Sequence, residues 1–399
     1  MLNEKVENSN NLNFDLNNVI QISFFGAYPR LYILNDGTWL CGFDTGKIYV
    51  TRSSDMGNTW SEPVLASLHD EYACANVAFY QFDNGDILCA YRALGKDKKE
   101  MHCTLSKDGG LSWEYHSTIE DNYRTALELG KTIEDAKEAL KNEPRIGFYE
   151  PHFGIINNKL TVMYADDFSP MLTNVRGDIA LNYETQCIVS RTWNEIMKTW
   201  ENRQIVLDGT IPKVSGINEY SRDGMSVFDQ LSDGTYVLVI EGTYRRTEQY
   251  GNNPFIILLS YSKDGINWSD PVEVYVPKGN GTKAGAPFLC VTSDDRIIIS
   301  FQTDEDSYEH GKGIGDSVSI MKTIISDGTN VENITIDNFS EAVNVFDLCP
   351  GDLSNWNGMY IHNDVLYCVS GIRGTTQLNS TKLSGIYMTS SLIPELEKY

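Results

Sequence analysis

Six times along its 399 residues the chain repeats one unit: an apolar strand, a tight polar turn and a second apolar strand. The unit reads LYILNDGTWLCGF from Leu31, FYQFDNGDILCAY from Phe79 and HFGIINNKLTVMY from His152. It returns as VFDQLSDGTYVLV from Val227, FLCVTSDDRIIIS from Phe288 and MYIHNDVLYCVS from Met359. Asp-Gly and Asn-Gly between alternating apolar runs are the strongest local hairpin signal, because these residues accept the left-handed backbone of a tight turn. The repeat starts lie 48, 73, 75, 61 and 71 residues apart, room for a four-stranded sheet with its loops. Repetition on that scale predicts an all-β, six-bladed β-propeller.

A second signal follows the hairpins. Ser53-Ser54-Asp55-Met56-Gly57-Asn58-Thr59-Trp60 and Ser106-Lys107-Asp108-Gly109-Gly110-Leu111-Ser112-Trp113 fit S-x-D-x-G-x-T/S-W. Ser262 to Trp268 fits with one residue deleted, and Ser190 to Trp200 and Ser326-Asp327-Gly328 are decayed copies. Each reads as the turn between the third and fourth strands: aspartate accepts backbone N–H groups, glycine takes a positive φ, and tryptophan packs between blades. Strands alternate in direction, so these turns face away from the end where inner strands begin, and the aspartates are structural. These residues resemble the Asp-box of the sialidase superfamily.

One stretch departs from the repeat. Asp121 to Asn142 reads as a short helical insertion between blades two and three. Thr132 and Asp135 form a capping box, and Ile133, Ala136 and Leu140 share a face. It emerges on the face where inner strands begin, as a pocket wall or as plain surface elaboration. Residues 1–18 are a polar, asparagine-rich lead-in, and 19–399 form a single propeller domain. Its last blade lacks a fourth strand after Leu392, which Val19 to Phe24 is expected to supply.

The net charge of −23 disfavours nucleic acid and anionic membrane as partners. No eighteen-residue apolar run or apolar signal core is present, so the chain is expected to be cytoplasmic, or secreted with its leader absent from this sequence. The eight cysteines show no CxxC spacing and read as reduced thiols; six histidines form no HExxH. Neither a metal nor another cofactor is expected, and the chain is expected to be a monomer.

Aligning the six units on their turns shows what reaches the pocket end. Inner strands begin at Tyr28-Pro29-Arg30, Ala75-Asn76, Tyr149-Glu150-Pro151, Arg222-Asp223-Gly224, Gly285-Ala286-Pro287 and Trp356-Asn357-Gly358. Second strands end at Asp44, Arg92, Ala165 (before Asp166 and Asp167), Glu241, Gln302 and Gly371. Polar groups gather where buried strands ordinarily end in apolar ones, which calls for a function. Glu150 and Glu241 fall on adjacent blades, and two carboxyl groups flanking a bond are what glycoside hydrolysis needs. The alternative is that each pairs with an arginine and only holds the axis together.

The Tyr28-Pro29-Arg30 opening, Tyr149-Glu150-Pro151, Glu241-Gly242 and Trp356-Asn357 together resemble the exo-α-1,5-L-arabinanase family of retaining glycosidases, over roughly Phe24 to Ser370. Gly358-Met359 departs from that family's pattern. The resemblance implies a sialidase-like propeller, Glu150 as acid/base, Glu241 as nucleophile, release of arabinobiose from arabinan, and no metal. An oligosaccharide or polysaccharide would be the partner. Arg30, Asp44, Asn76, Arg92, Asp223 and Asn357 would then hold hydroxyl groups, and Tyr149 and Trp356 would offer ring faces. Arg30 could equally pair with Asp44. Two other readings stay open. A sialidase would use arginines drawn from Arg30, Arg92, Arg222, Arg245 and Arg373, with Tyr360 as nucleophile near Glu241. A non-catalytic carbohydrate-binding propeller would need neither glutamate.

Overall fold

The computed structural model describes residues 11–14, 18–69, 71–173, 185–210, 221–243, 255–279, 281–306, 319–348, 352–378 and 381–395. They form six antiparallel sheets, each laid down inner strand first. The inner strands are Ala27–Ile33, Ala73–Gln81, Phe148–Ile156, Gly224–Gln230, Ala284–Val291 and Leu353–His362. The turns that join inner to second strands follow the sequence. In blade one the Gly37 N–H donates to the Leu34 carbonyl with Gly37 at φ 84°; in blade three Asn157 and Asn158 both take positive φ.

The Asp-boxes close the hairpins between third and fourth strands. Asp55 accepts from the Thr59 N–H and hydroxyl, Asp108 from the N–H groups of Leu111 and Ser112, and Asp264 from those of Ile266 and Asn267. The Thr59 and Ser112 hydroxyls, with these N–H groups, hold the carboxyl pKa values of Asp55 and Asp108 at about 2. Trp60 and Trp113 pack against the cores between blades, where Trp39, Leu40, Tyr91, Ile240 and Phe301 are fully enclosed.

The ring closes in blade six. Ile20–Ser23 pairs with Thr381–Leu392 in the register Ile20↔Met388, Gln21↔Tyr387 and Ser23↔Ile386. A two-residue strand, Asn13–Phe14, extends the same edge against Leu392 and Ser391, and buries Leu12 and Phe14. This contact lies within the stretch expected to be a polar lead-in; two apolar residues among asparagines are enough to complete a sheet edge.

Between the outer strand Glu114–Asp121 and the inner strand Phe148–Ile156 the chain forms two helices, α1 (Asn122–Glu128) and α2 (Ile133–Asn142). The single helix expected there is broken at Gly130 (φ 71°), after which Thr132 and Asp135 make the capping box that starts α2. Ala136, Ala139 and Leu140 are buried, whereas Ile133 is exposed. A third helix, α3 (Phe168–Thr173), follows the second strand of blade three and packs with the first two over Phe148 and Tyr164. Beneath them Arg191, almost wholly enclosed, donates to both Glu120 oxygens at 2.8 and 3.1 Å and reaches Glu128 at 2.5 Å.

Seven described cysteines are unpaired, and Cys349 lies outside the described residues. Among the described residues no helix is long and apolar enough to cross a membrane. Among the described residues no group of three His, Cys, Asp or Glu side chains suits a metal ion.

Candidate active site

Each inner strand carries a β-bulge near its start, and at each bulge stands a non-glycine residue with left-handed backbone: Tyr28, Asn76, Glu150, Met225, Ala286 and Trp356, with φ between 49° and 61°. A bulge adds one residue to one strand and re-aims its side chains. The six bulges form a ring at the pocket end of the axis, and side chains of neighbouring blades fasten four of them. Asp44 accepts the Asn76 N–H (3.0 Å), Glu150 that of Met225 (3.1 Å), Glu241 that of Ala286 (2.7 Å), and Gln302 that of Trp356 (2.9 Å). Three of these acceptors end second strands. In blade three that position is Ala165, which has no acceptor side chain, and Glu150 serves from the inner strand instead.

Glu150 and Glu241 meet at one dipeptide. Glu150 Oε2 takes the Met225 N–H, while Glu241 Oε1 lies 3.1 Å from where a Cβ on the preceding Gly224 would stand. With ordinary backbone dimensions, those two oxygens are no more than roughly 10 Å apart. Arg222 reaches Glu241 Oε1 at 3.3 Å and stacks over Phe255. Burial works against its charge, but Glu241, then Glu150, Asp167 and Tyr149, outweigh burial and raise the guanidinium pKa. Gly285 makes room for the other oxygen: a Cβ there would stand 2.6 Å from Glu241 Oε2. Gly285→Ala is therefore expected to push the carboxylate off the Ala286 N–H at little cost in stability, since a flexible side-chain end yields. Turnover should fall about 100-fold, as for a displacement of about 1 Å at a reacting group; steady-state kinetics beside a thermal melt checks both halves.

Asp44 and Asp167, also at this end of the axis, have raised pKa values. Burial pushes Asp44 up to about 6, against the Asn76 N–H, Arg92 and Arg30. Burial pushes Asp167 up to about 8, against the Gly147 N–H (2.6 Å), Arg222 and Gln186. Between an ordinary carboxyl value of about 4 and 8, the folded chain holds a proton on Asp167 that the unfolded chain has released, so this group lowers stability as pH rises through that window. Asp167→Asn, which keeps an acceptor for Gly147, is expected to flatten the fall in urea midpoint between pH 5 and pH 8.

The other expected site residues separate into two sets. Asp44, Asn76, Arg92, Tyr149 and Trp356 stand at the pocket end. Arg92 lies over the Tyr149 ring at 4.7 Å, the Tyr149 hydroxyl donates to the Arg145 carbonyl, and Asn76 Oδ1 is buried without a hydrogen-bond partner among the described residues. Four are displaced from a ligand-contacting role. Arg30 donates to the carbonyls of Pro29, Trp356 and Asn357 at 2.8, 3.3 and 2.7 Å and stacks over Tyr28, so it joins blade one to blade six rather than pairing with Asp44. Asp223 and Asn357 have no accessible surface. Tyr360 donates to the Ile33 carbonyl near the far end of the inner strands, away from Glu241. There it lines a cavity of about 440 Å³ with Arg30, His152, Phe228 and Phe288, which neither glutamate touches. Arg245 lies outside the described residues. Arg222, expected only as one of the sialidase arginines, is the residue that reaches Glu241.

No protein-family profile matches the chain, and no curated protein matches it in sequence. Solved structures do share its fold. The GH93 α-L-arabinofuranosidase of Fusarium graminearum, in complex with arabinobiose, is 15% identical with a TM-score of 0.64, over 93% of this chain and 96% of that one. The Penicillium chrysogenum α-L-arabinanase, also complexed with arabinobiose, is 16% identical at 0.60, over 94% and 98%. The NanB sialidase of Streptococcus pneumoniae, as a K499G mutant, is 10% identical at 0.57, over 92% and 68%. At these identities the likeness establishes the six-bladed propeller.

Proposed function

We propose that this propeller is a glycoside hydrolase, and in finer terms a retaining exo-enzyme that releases arabinobiose from α-1,5-linked L-arabinan or a related oligosaccharide. The observation that carries it is the convergence of Glu150 and Glu241 on Gly224–Met225, with Arg222 facing the second of them. That an α-L-arabinofuranosidase and an α-L-arabinanase of this fold hold arabinobiose supports the sugar class.

Glu150, with Oε2 engaged by Met225, delivers a proton from Oε1 to the leaving oxygen as the glycosidic bond breaks. Glu241 attacks the anomeric carbon, and its carboxylate becomes an ester of the sugar. Glu150, now ionised, takes a proton from water, whose oxygen displaces Glu241 from the sugar. The Ala286 N–H and the Arg222 guanidinium hold Glu241 in line for both steps. A sialidase reading loses two of its parts, since Tyr360 is remote from Glu241 and Arg30 is spent on backbone carbonyls.

Incubation with linear α-1,5-arabinan, followed by chromatography and NMR of the first-formed anomer, tests the proposal. Arabinobiose of retained configuration supports it. Inverted product would make Glu241 a general base, and no product would remove arabinan as the substrate.

A further inference from the structure

At the seam between blades six and one the pocket face carries a cavity of about 300 Å³ whose lining includes neither glutamate. Phe24, Phe25, Asn355, Trp356, Arg373 and Ser384 line it. Phe24 is 79% exposed and Phe25 47%, although both directly follow the ring-closing strand Ile20–Ser23. Exposed aromatic rings gathered in a cleft ordinarily mark a binding surface. Phe25 is steadied from behind by edge contacts to Phe43 and Tyr49 at 5.6 and 6.0 Å. Trp356 is held more firmly still: Gln302 accepts its N–H, Arg30 donates to its carbonyl, and its ring leans on Tyr28.

We propose that this cleft binds a neutral saccharide chain, taking the part of the substrate that lies beyond the sugars at Glu150 and Glu241. The inference rests on the glycosidase reading and names a site that reading does not need. Two properties select a sugar. Aromatic faces pack against the C–H faces of sugar rings, while Arg373 and Ser384 at the rim offer the hydrogen bonds that hydroxyl groups require. Trp356 also ties the cleft to the axial site, because it lines the cleft and its backbone belongs to the bulge ring. Binding energy collected there, remote from the reacting bond, is available for orienting a long substrate at the glutamates.

Affinity electrophoresis tests this with the full chain, carrying Glu241→Gln so that polymer is not consumed, in native gels containing linear arabinan, galactan or xylan. Addition of Phe24→Ala is expected to weaken retention about three- to tenfold in apparent Kd, the loss of one aromatic contact. Arg373→Ala should act in the same direction. Retention indifferent to both substitutions, or none on any polymer, overturns the cleft. Hydrolysis of arabinan by the unmutated chain with retention indifferent to Phe24 overturns the cleft alone. Phe24-dependent retention without hydrolysis leaves the cleft standing and overturns the glycosidase reading.

Discussion

Glu241→Gln is expected to lower kcat on arabinan by about 10³- to 10⁴-fold or more while the chain stays folded. Gln302 supplies the control within the molecule. It ends the second strand of blade five as Glu241 ends that of blade four, and its side-chain oxygen accepts the Trp356 N–H as Glu241 accepts that of Ala286. A glutamine at 241 retains that fastening and loses the charge, the nucleophilic carboxylate and the second oxygen that faces Arg222. If Glu241 were purely a fastener between blades, the substitution would leave turnover intact. A thermal melt beside the kinetics makes the comparison complete: an unchanged melting temperature with lost turnover assigns the glutamate to chemistry, and unchanged turnover removes it.

Glu150→Gln should separate two substrates. On arabinan, where the leaving alkoxide needs a proton, kcat/KM is expected to fall about 10²- to 10⁴-fold. On an aryl arabinoside with an acidic phenol as leaving group, the first step needs no acid, so glycosyl-enzyme accumulates as a burst and added azide speeds its release. The amide oxygen can still take the Met225 N–H, which keeps the fold out of the comparison. Equal losses on both substrates would deny Glu150 the proton-donor role. Its left-handed backbone is no argument for that role, because all six blades share it.

The blades were legible because their signals are local. Asp-Gly and Asn-Asn turns, alternating strands and Asp-boxes each lie within about a dozen residues, and Val19 to Phe24 could be matched to the blade that lacked a partner. Glu150 and Glu241 emerged from the same alignment on turns. The bulges did not, since their left-handed positions hold Tyr, Asn, Glu, Met, Ala and Trp, with no glycine to announce them. An extra residue exchanges the faces of the side chains on either side of it. Counting evenly from the turns therefore gave ligand roles to Asp223 and Asn357, which are wholly enclosed. Arg30 and Tyr360 failed differently: both lie on the turn side of the bulge and line the cavity toward the opposite end of the axis. The strand at Asn13–Phe14 rests on contacts that no local pattern carries, whereas the break at Gly130 is a local signal, a glycine just past one helix and before the capping box of the next.

The bulge ring has a consequence for how such a protein can change. Each blade presents the same socket, a backbone N–H at fixed height, and the chain fills the sockets with aspartate, glutamate or glutamine, or leaves them without a side-chain acceptor. Architecture asks only for an oxygen; chemistry asks for a carboxyl group in two neighbouring sockets. The two demands are separable, so an acid pair can be moved around the axis by exchanging side chains, blade by blade, on a backbone that stays where it is.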